Sequence, residues 1–128
     1  MKNENVYVIE FTKSQELTEE DITDIVITAL EGGIGYWACL DNAGIEFENA
    51  PEEEPVSITA AKILLNNGSI FLDDVEDEDE RYELTLELLL NGIEKYANEE
   101  GGFDIDDIDS DVADVIVQYA IFCELVFG

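Results

Sequence analysis

The run Asp109-Ser110-Asp111-Val112-Ala113-Asp114-Val115-Ile116-Val117-Gln118-Tyr119-Ala120-Ile121-Phe122-Cys123 organises the reading of this chain. Asp109 or Ser110 is a helix N-cap, because a short polar side chain there accepts from the unpaired N–H groups of the first turn. Between Asp114 and Glu124 the run carries no charge. A helix that is apolar on all sides is a buried one. The pattern therefore predicts a helix that starts near residue 110 and forms the central element, with the rest of the chain packed around it.

Upstream, Thr85 caps a second helix that buries Leu86, Leu89, Leu90, Ile93 and Ala97 on one side. Gly92 inside it costs roughly 1 kcal/mol against Ala, so it marks a close packing contact. Ser69-Ile70-Phe71-Leu72 reads as a strand, and Tyr82-Glu83-Leu84 as another across an acidic turn. Ser57 is expected to cap a helix through about Asn66, closed by Asn67-Gly68. Asp41 to Pro55 holds both prolines and reads as an exposed loop. Ile34 to Leu40 fits either a short strand or an aromatic-rich packed turn.

The first third is clearer. Val6-Tyr7-Val8-Ile9-Glu10-Phe11 is rich in β-branched and aromatic residues and reads as a strand. Thr18-Glu19-Glu20-Asp21 resembles a capping box. Ile22, Ile25, Val26, Ala29 and Leu30 then fall on one helical face. Gly32-Gly33 is expected to end that helix in the left-handed conformation that glycine adopts freely. The elements add up to one α+β domain over residues 1–128: a small antiparallel sheet with about four helices around the buried last helix.

Composition narrows the function. The chain has 33 Asp and Glu against 5 Lys and Arg, a formal net charge of −28, yet 46% hydrophobic residues, enough for a core. Such a charge excludes direct binding to nucleic acid and to anionic membrane surfaces. The start, MKNENVYVIEFTK, shows no signal-peptide core, and the longest uncharged run falls far short of the roughly 20 residues that span a bilayer. A cytoplasmic location is expected. With no histidine, the commonest general base, the Ser–His and Cys–His pairs and most zinc sites are removed. Cys39 and Cys123 form no CxxC, and Cys123, in an apolar run, is expected to behave as a small hydrophobe.

Three roles for the acids remain. Asp107, Asp109 and Asp111 open like a calcium loop, but Val112 stands where Gly is needed and Gln118 where a bidentate Glu is needed. Paired carboxylates for catalysis carry no information where acids are this dense, and neither a P-loop nor a G-x-S-x-G elbow is present. No enzyme activity, metal or cofactor is expected. The third role is a surface that meets something positive. A protein of this mass exposes about 6,800 Å², so the net charge averages roughly one per 240 Å². B-DNA carries on the order of one charge per 110 Å² if its charges are spread over a cylinder of about 10 Å radius. Acids gathered on one half of this protein would match a duplex.

The sequence bunches them in this way. Asp73, Asp74, Glu76, Asp77, Glu78, Asp79 and Glu80 form one tract. Glu99, Glu100, Asp104, Asp106, Asp107, Asp109 and Asp111, extended by Asp114, form a second. Acid runs are commonly just solvated loops, and halophilic proteins are acidic throughout; bunching and plentiful β-branched residues speak against halophily. The expected partner is the basic surface of a nucleic-acid-binding protein, with both tracts facing its Lys and Arg.

Ala29-Leu30-Glu31-Gly32-Gly33-Ile34-Gly35-Tyr36-Trp37 resembles an A-L-E-G-G-I-x-Y-W signature of small acidic proteins from phages and conjugative elements of Gram-positive bacteria. Ala113-Asp114-Val115-Ile116-Val117-Gln118-Tyr119-Ala120-Ile121-Phe122 resembles their A-D-x-I-V-Q-Y-A-x-F ending, and Tyr82 to Glu87 is similar to their start of a Leu-rich helix. The 73–80 run departs from that pattern. The resemblance implies an accessory gene of a mobile element, where acidic proteins act as anti-CRISPR or anti-restriction inhibitors that mimic nucleic acid. It assigns no role to any residue. Physically, Tyr36 and Trp37 read as core plugs beside the last helix. Exposed, they would instead anchor an apolar patch, the alternative of a mobile-element adaptor or assembly protein.

Overall fold

The computed structural model describes residues 6–10, 14–40, 55–101 and 104–128. The chain opens with a hairpin in which β1 (Val6–Glu10) pairs antiparallel with β2 (Ser14–Thr18), Val6 opposite Thr18. α1 (Glu19–Thr28) follows directly and continues into a π-helical turn, Ala29–Gly33. Then come β3 (Ala38–Leu40), α2 (Val56–Leu65), β4 (Ser69–Asp74) and β5 (Arg81–Thr85). α3 (Leu86–Glu100), a 3₁₀ turn (Ile105–Asp107) and α4 (Ser110–Phe122) complete the order. The α+β class is as expected, with two small antiparallel sheets: the hairpin, and a three-stranded sheet ordered β3-β4-β5.

Several local signals act as the sequence implied. The Thr18 hydroxyl accepts from Asp21 N–H at 3.1 Å, while the Asp21 carboxylate accepts from Thr18 N–H at 3.0 Å. Thr85 caps α3 through Leu88 N–H, and Asp109 caps α4 through Val112 N–H. β4 alternates so that Ile70 and Leu72 face inward, completely buried. The expected face of α3 is buried except for Leu90, which is half-buried.

α3 and α4 pack closely because Gly92 lets them. A Cβ on Gly92 would lie 2.8 Å from Ala120 N and nearer still to the Ile116 carbonyl. Ile116 and Ala120 face α3 and are buried with Ala113 and Val117, while Val115, Tyr119, Ile121 and Phe122 are only half-buried. The last helix is thus embedded along part of its circumference, less fully than its uncharged sequence implied. Its remaining neighbours include α1, β5 and the π turn.

Other expectations are corrected. β2 has no strand-like pattern in Ser-Gln-Glu-Leu-Thr; pairing with β1 supplies its backbone partners, and Leu17 is its buried anchor. Gly32 and Gly33 do not end α1 through a left-handed residue, since neither has a positive φ. Gly33 is needed for approach: a Cβ there would sit 2.7 Å from the Ser110 carbonyl, at the start of α4. Ser57 does not cap α2, whose N-cap position is Pro55. Its buried hydroxyl donates to the Glu31 carboxylate, tying α2 to the π turn. Asn67 takes the left-handed conformation after α2, at φ 65°. Cys123 is exposed, not a buried hydrophobe, because it stands at the left-handed end of α4 where the chain turns away; both cysteines are free thiols. The loop expected from Asp41 lies, Pro55 apart, outside the described residues, as does Phe11. Among the described residues, no helix is long and apolar enough to cross a membrane.

Gly92→Ala is expected to lower the unfolding free energy in urea by about 2 kcal/mol, overpacking outweighing the better helix propensity of Ala. Gly35→Ala, whose methyl would meet nothing within 4 Å, should change it little. Equal effects at the two positions would contradict the close α3–α4 contact.

Candidate functional site

The first acidic tract is the turn between β4 and β5, and it is locally ordered. Asp73 faces Arg81 across the ladder and accepts from its Nε at 3.0 Å. One oxygen of Asp74 accepts from Glu76 N–H at 2.8 Å and Asp77 N–H at 3.1 Å; the other accepts from the Tyr82 hydroxyl at 2.9 Å. Those bonds, led by the Glu76 N–H, hold the Asp74 carboxyl below the usual carboxylate range. Asp77 accepts from Asp79 N–H, and Glu80 N–H donates back to the Asp77 carbonyl. The sequence of short acids is therefore also the sequence of a tight turn, because Asp side chains bond the backbone two residues on. From this frame Glu76, Asp77, Glu78, Asp79 and Glu80 project into solvent.

The second tract runs from the end of α3 to the first turn of α4. Glu99, Glu100, Asp104, Asp106, Asp107, Asp109 and Asp111 are all exposed. Asp104 accepts from Asp106 N–H and Asp109 from Val112 N–H, so these two also shape their turns. Lys95 lies 3.9 Å from Glu99, one turn back along α3. Acids at the start of α4 also complement its dipole.

The two tracts stand on different elements. Asp109 begins α4, whereas Tyr82, which bonds Asp74, packs edge-on against Phe122 in the last turn of α4, ring centroids 5.0 Å apart. The base of the first tract also reaches toward the start of α4, since Val75 N–H donates to the Trp37 carbonyl and the Trp37 indole donates to Asp114.

Asp114 leaves the tract it was expected to extend. It is 9% exposed and accepts three hydrogen bonds: from the Tyr36 hydroxyl at 2.6 Å, the Trp37 indole N–H at 2.7 Å and the Gln118 amide at 3.0 Å. A carboxylate is buried at tolerable cost only when its lone pairs are taken in this way. Tyr36 and Trp37 divide between the two readings of the pair. Trp37 is core, at 2% exposed, boxed by Tyr82, Phe122 and Phe127. Tyr36 is 53% exposed, with its hydroxyl turned inward to Asp114. Residues 36–37 and 114–118 thus meet here, side chain against side chain. Composition hides this network, but one signal was present: Asp114 and Gln118 lie four apart on an otherwise apolar stretch, so both point the same way from a packed helix.

Among the described residues, no group of three or more Cys, Asp or Glu is placed to hold a metal ion. Comparison with family models, with curated proteins and with solved structures finds no match.

Burial first, and then the hydrogen bond to Asp114, push the Tyr36 phenol up to about 12. Burial and Asp74 do the same for Tyr82, also to about 12. A folded-state value above the ordinary 10 means that the stabilisation is complete below pH 10 and is lost as pH rises through 12. Stability is therefore expected to fall over that window, and Asp114→Asn should bring the Tyr36 ionisation down in a spectrophotometric titration. Asp114→Ala, which strands the buried Trp37 N–H, should cost about 3 kcal/mol in urea denaturation. A cost below about 1 kcal/mol would contradict the network's importance.

Proposed function

We propose that this chain inhibits a nucleic-acid-binding protein of host defence, of the CRISPR or restriction type, by filling its basic groove with carboxylates in place of phosphates. The observation that carries the reading is the β4–β5 turn, where backbone bonds to Asp74 and Asp77 hold an array of exposed acids in a set shape. A preordered array loses less entropy on docking than a flexible acidic tail. The net charge of −28 steers the chain toward a positive surface and speeds encounter. A second exposed tract, from the end of α3 to the first turn of α4, adds further carboxylates for such a surface. The resemblance to acidic proteins of phages and conjugative elements supports the same context. No catalytic step and no cofactor enters this mechanism: the partner is a basic protein surface, and the charge opposes nucleic acid and membrane as partners.

The adaptor alternative needs Tyr36 and Trp37 together at the surface, and Trp37 is in the core. That leaves the acidic tracts as the better-supported interface.

The test is inhibition of DNA cleavage across a panel of purified CRISPR effectors and restriction endonucleases. Against an enzyme that is inhibited, reversing Glu76, Glu78, Asp79 and Glu80 together to Lys should weaken inhibition about 100-fold. Each reversal alone should weaken it about threefold, because exposed charge contacts are individually small. Loss of inhibition from one reversal with the fold intact, or no loss from all four, would overturn the mimic.

A further inference from the structure

The residues after α4, Glu124-Leu125-Val126-Phe127-Gly128, lie in no helix or strand and are held mainly by one side chain and one ring. Gln118, 1% exposed, accepts with Oε1 from Val126 N–H at 2.9 Å and from Phe127 N–H at 2.8 Å. Its Nε2 donates to the Phe127 carbonyl at 3.2 Å. The Phe127 ring stacks on Trp37, with centroids 4.8 Å and planes 10° apart. Leu125 and Val126 stay about half exposed, and a cleft of about 550 Å³ flanks the segment between Tyr36, Asp111 and Leu125.

A primary amide whose oxygen takes two successive N–H groups and whose nitrogen meets a carbonyl recognises a bent backbone whatever side chains it carries, because adjacent N–H groups of an extended strand point to opposite sides. The aromatic floor beside it adds a preference for a ring. Asp114 holds the Gln118 amide from behind at 3.0 Å, so the orientation of the amide does not depend on the segment it grips. We infer that Gln118 and Trp37 form a peptide-binding seat, filled in cis by the chain's own residues 124–128 and able to take that same segment in trans when the cis copy lets go. The ligand class is a short peptide, bent at the gripped residues, with phenylalanine followed by a small residue. Release is local, hinging at Cys123, whose φ of 63° is left-handed. The inference does not rest on the acidic-mimic reading.

The test uses Phe127→Ala in the full chain, with the single tryptophan, Trp37, as reporter. The variant should keep its helical circular dichroism and cooperative melting while acrylamide quenching of Trp37 rises several-fold. A synthetic peptide of residues 124–128, added in high salt to screen its Glu124 from the protein, should reverse that rise saturably. The same peptide with Ala for Phe should not, and the parent protein, its seat occupied, should not respond over the same range. Hydrogen exchange of the parent guards against a variant that fails to fold: the Val126 and Phe127 amides should exchange faster than those of α4. Unchanged quenching in the variant, a peptide that reverses nothing, or amides at 126 and 127 as protected as those of α4 would each overturn the seat.

Discussion

The Asp114 carboxylate lies inside the protein, where a charge survives only if donors surround it, and the donors it collects come from distant parts of the chain. Tyr36 and Trp37 reach it across more than seventy residues of sequence. Gln118 reaches it from the next turn of the same helix and, with its other atoms, grips residues 126 and 127. Trp37 in turn fixes what surrounds it: Tyr82 and Phe122 pack on its ring, and its carbonyl accepts from Val75 N–H at the base of the acidic turn. Through that one tryptophan, the buried acid positions the frame from which the exposed acids project. The approach that makes this possible is set by Gly33, whose missing Cβ lets the π turn lie against Ser110 and Asp114.

Interior and exterior here oppose one another electrostatically. Thirty-three acids against five bases repel each other wherever they are exposed, and that repulsion works against a compact state. The fold answers with an apolar core, caps at Thr18, Thr85 and Asp109, and acids turned to local use at Asp74, Asp77 and Asp104. Added salt screens the repulsion and so should favour the folded state, whereas it weakens attraction to a basic partner. Stability and binding thus respond to salt with opposite signs, which separates a lost partner from a lost fold.

Much of the framework was legible in the residues because it depends on local chemistry. The Thr18–Asp21 box, the Thr85 and Asp109 caps, the alternation in β4 and the contact at Gly92 each follow from one residue's preference or one period. What was not legible depends on who the neighbour is. Ser-Gln-Glu-Leu-Thr has nothing of a strand in it, and becomes β2 because β1 lies beside it. Gly33 looked like a helix stop and proved to be a point of approach; Ser57 looked like a cap and proved to be a tie to Glu31. Asp114 stands among the exposed acids by sequence alone, because sequence shows how many carboxylates there are and not which way each faces. Its spacing to Gln118 was the available clue.

The central functional claim is that exposed carboxylates stand in for phosphates, and the most direct measurement is capture of partners from host lysate by tagged protein. The capture is washed at low and high salt, with and without competing duplex DNA or RNA. The account predicts a DNA- or RNA-binding protein that is lost both to competitor and to salt, under salt conditions that favour this protein's own fold. A partner that survives high salt and ignores the competitor would contradict it.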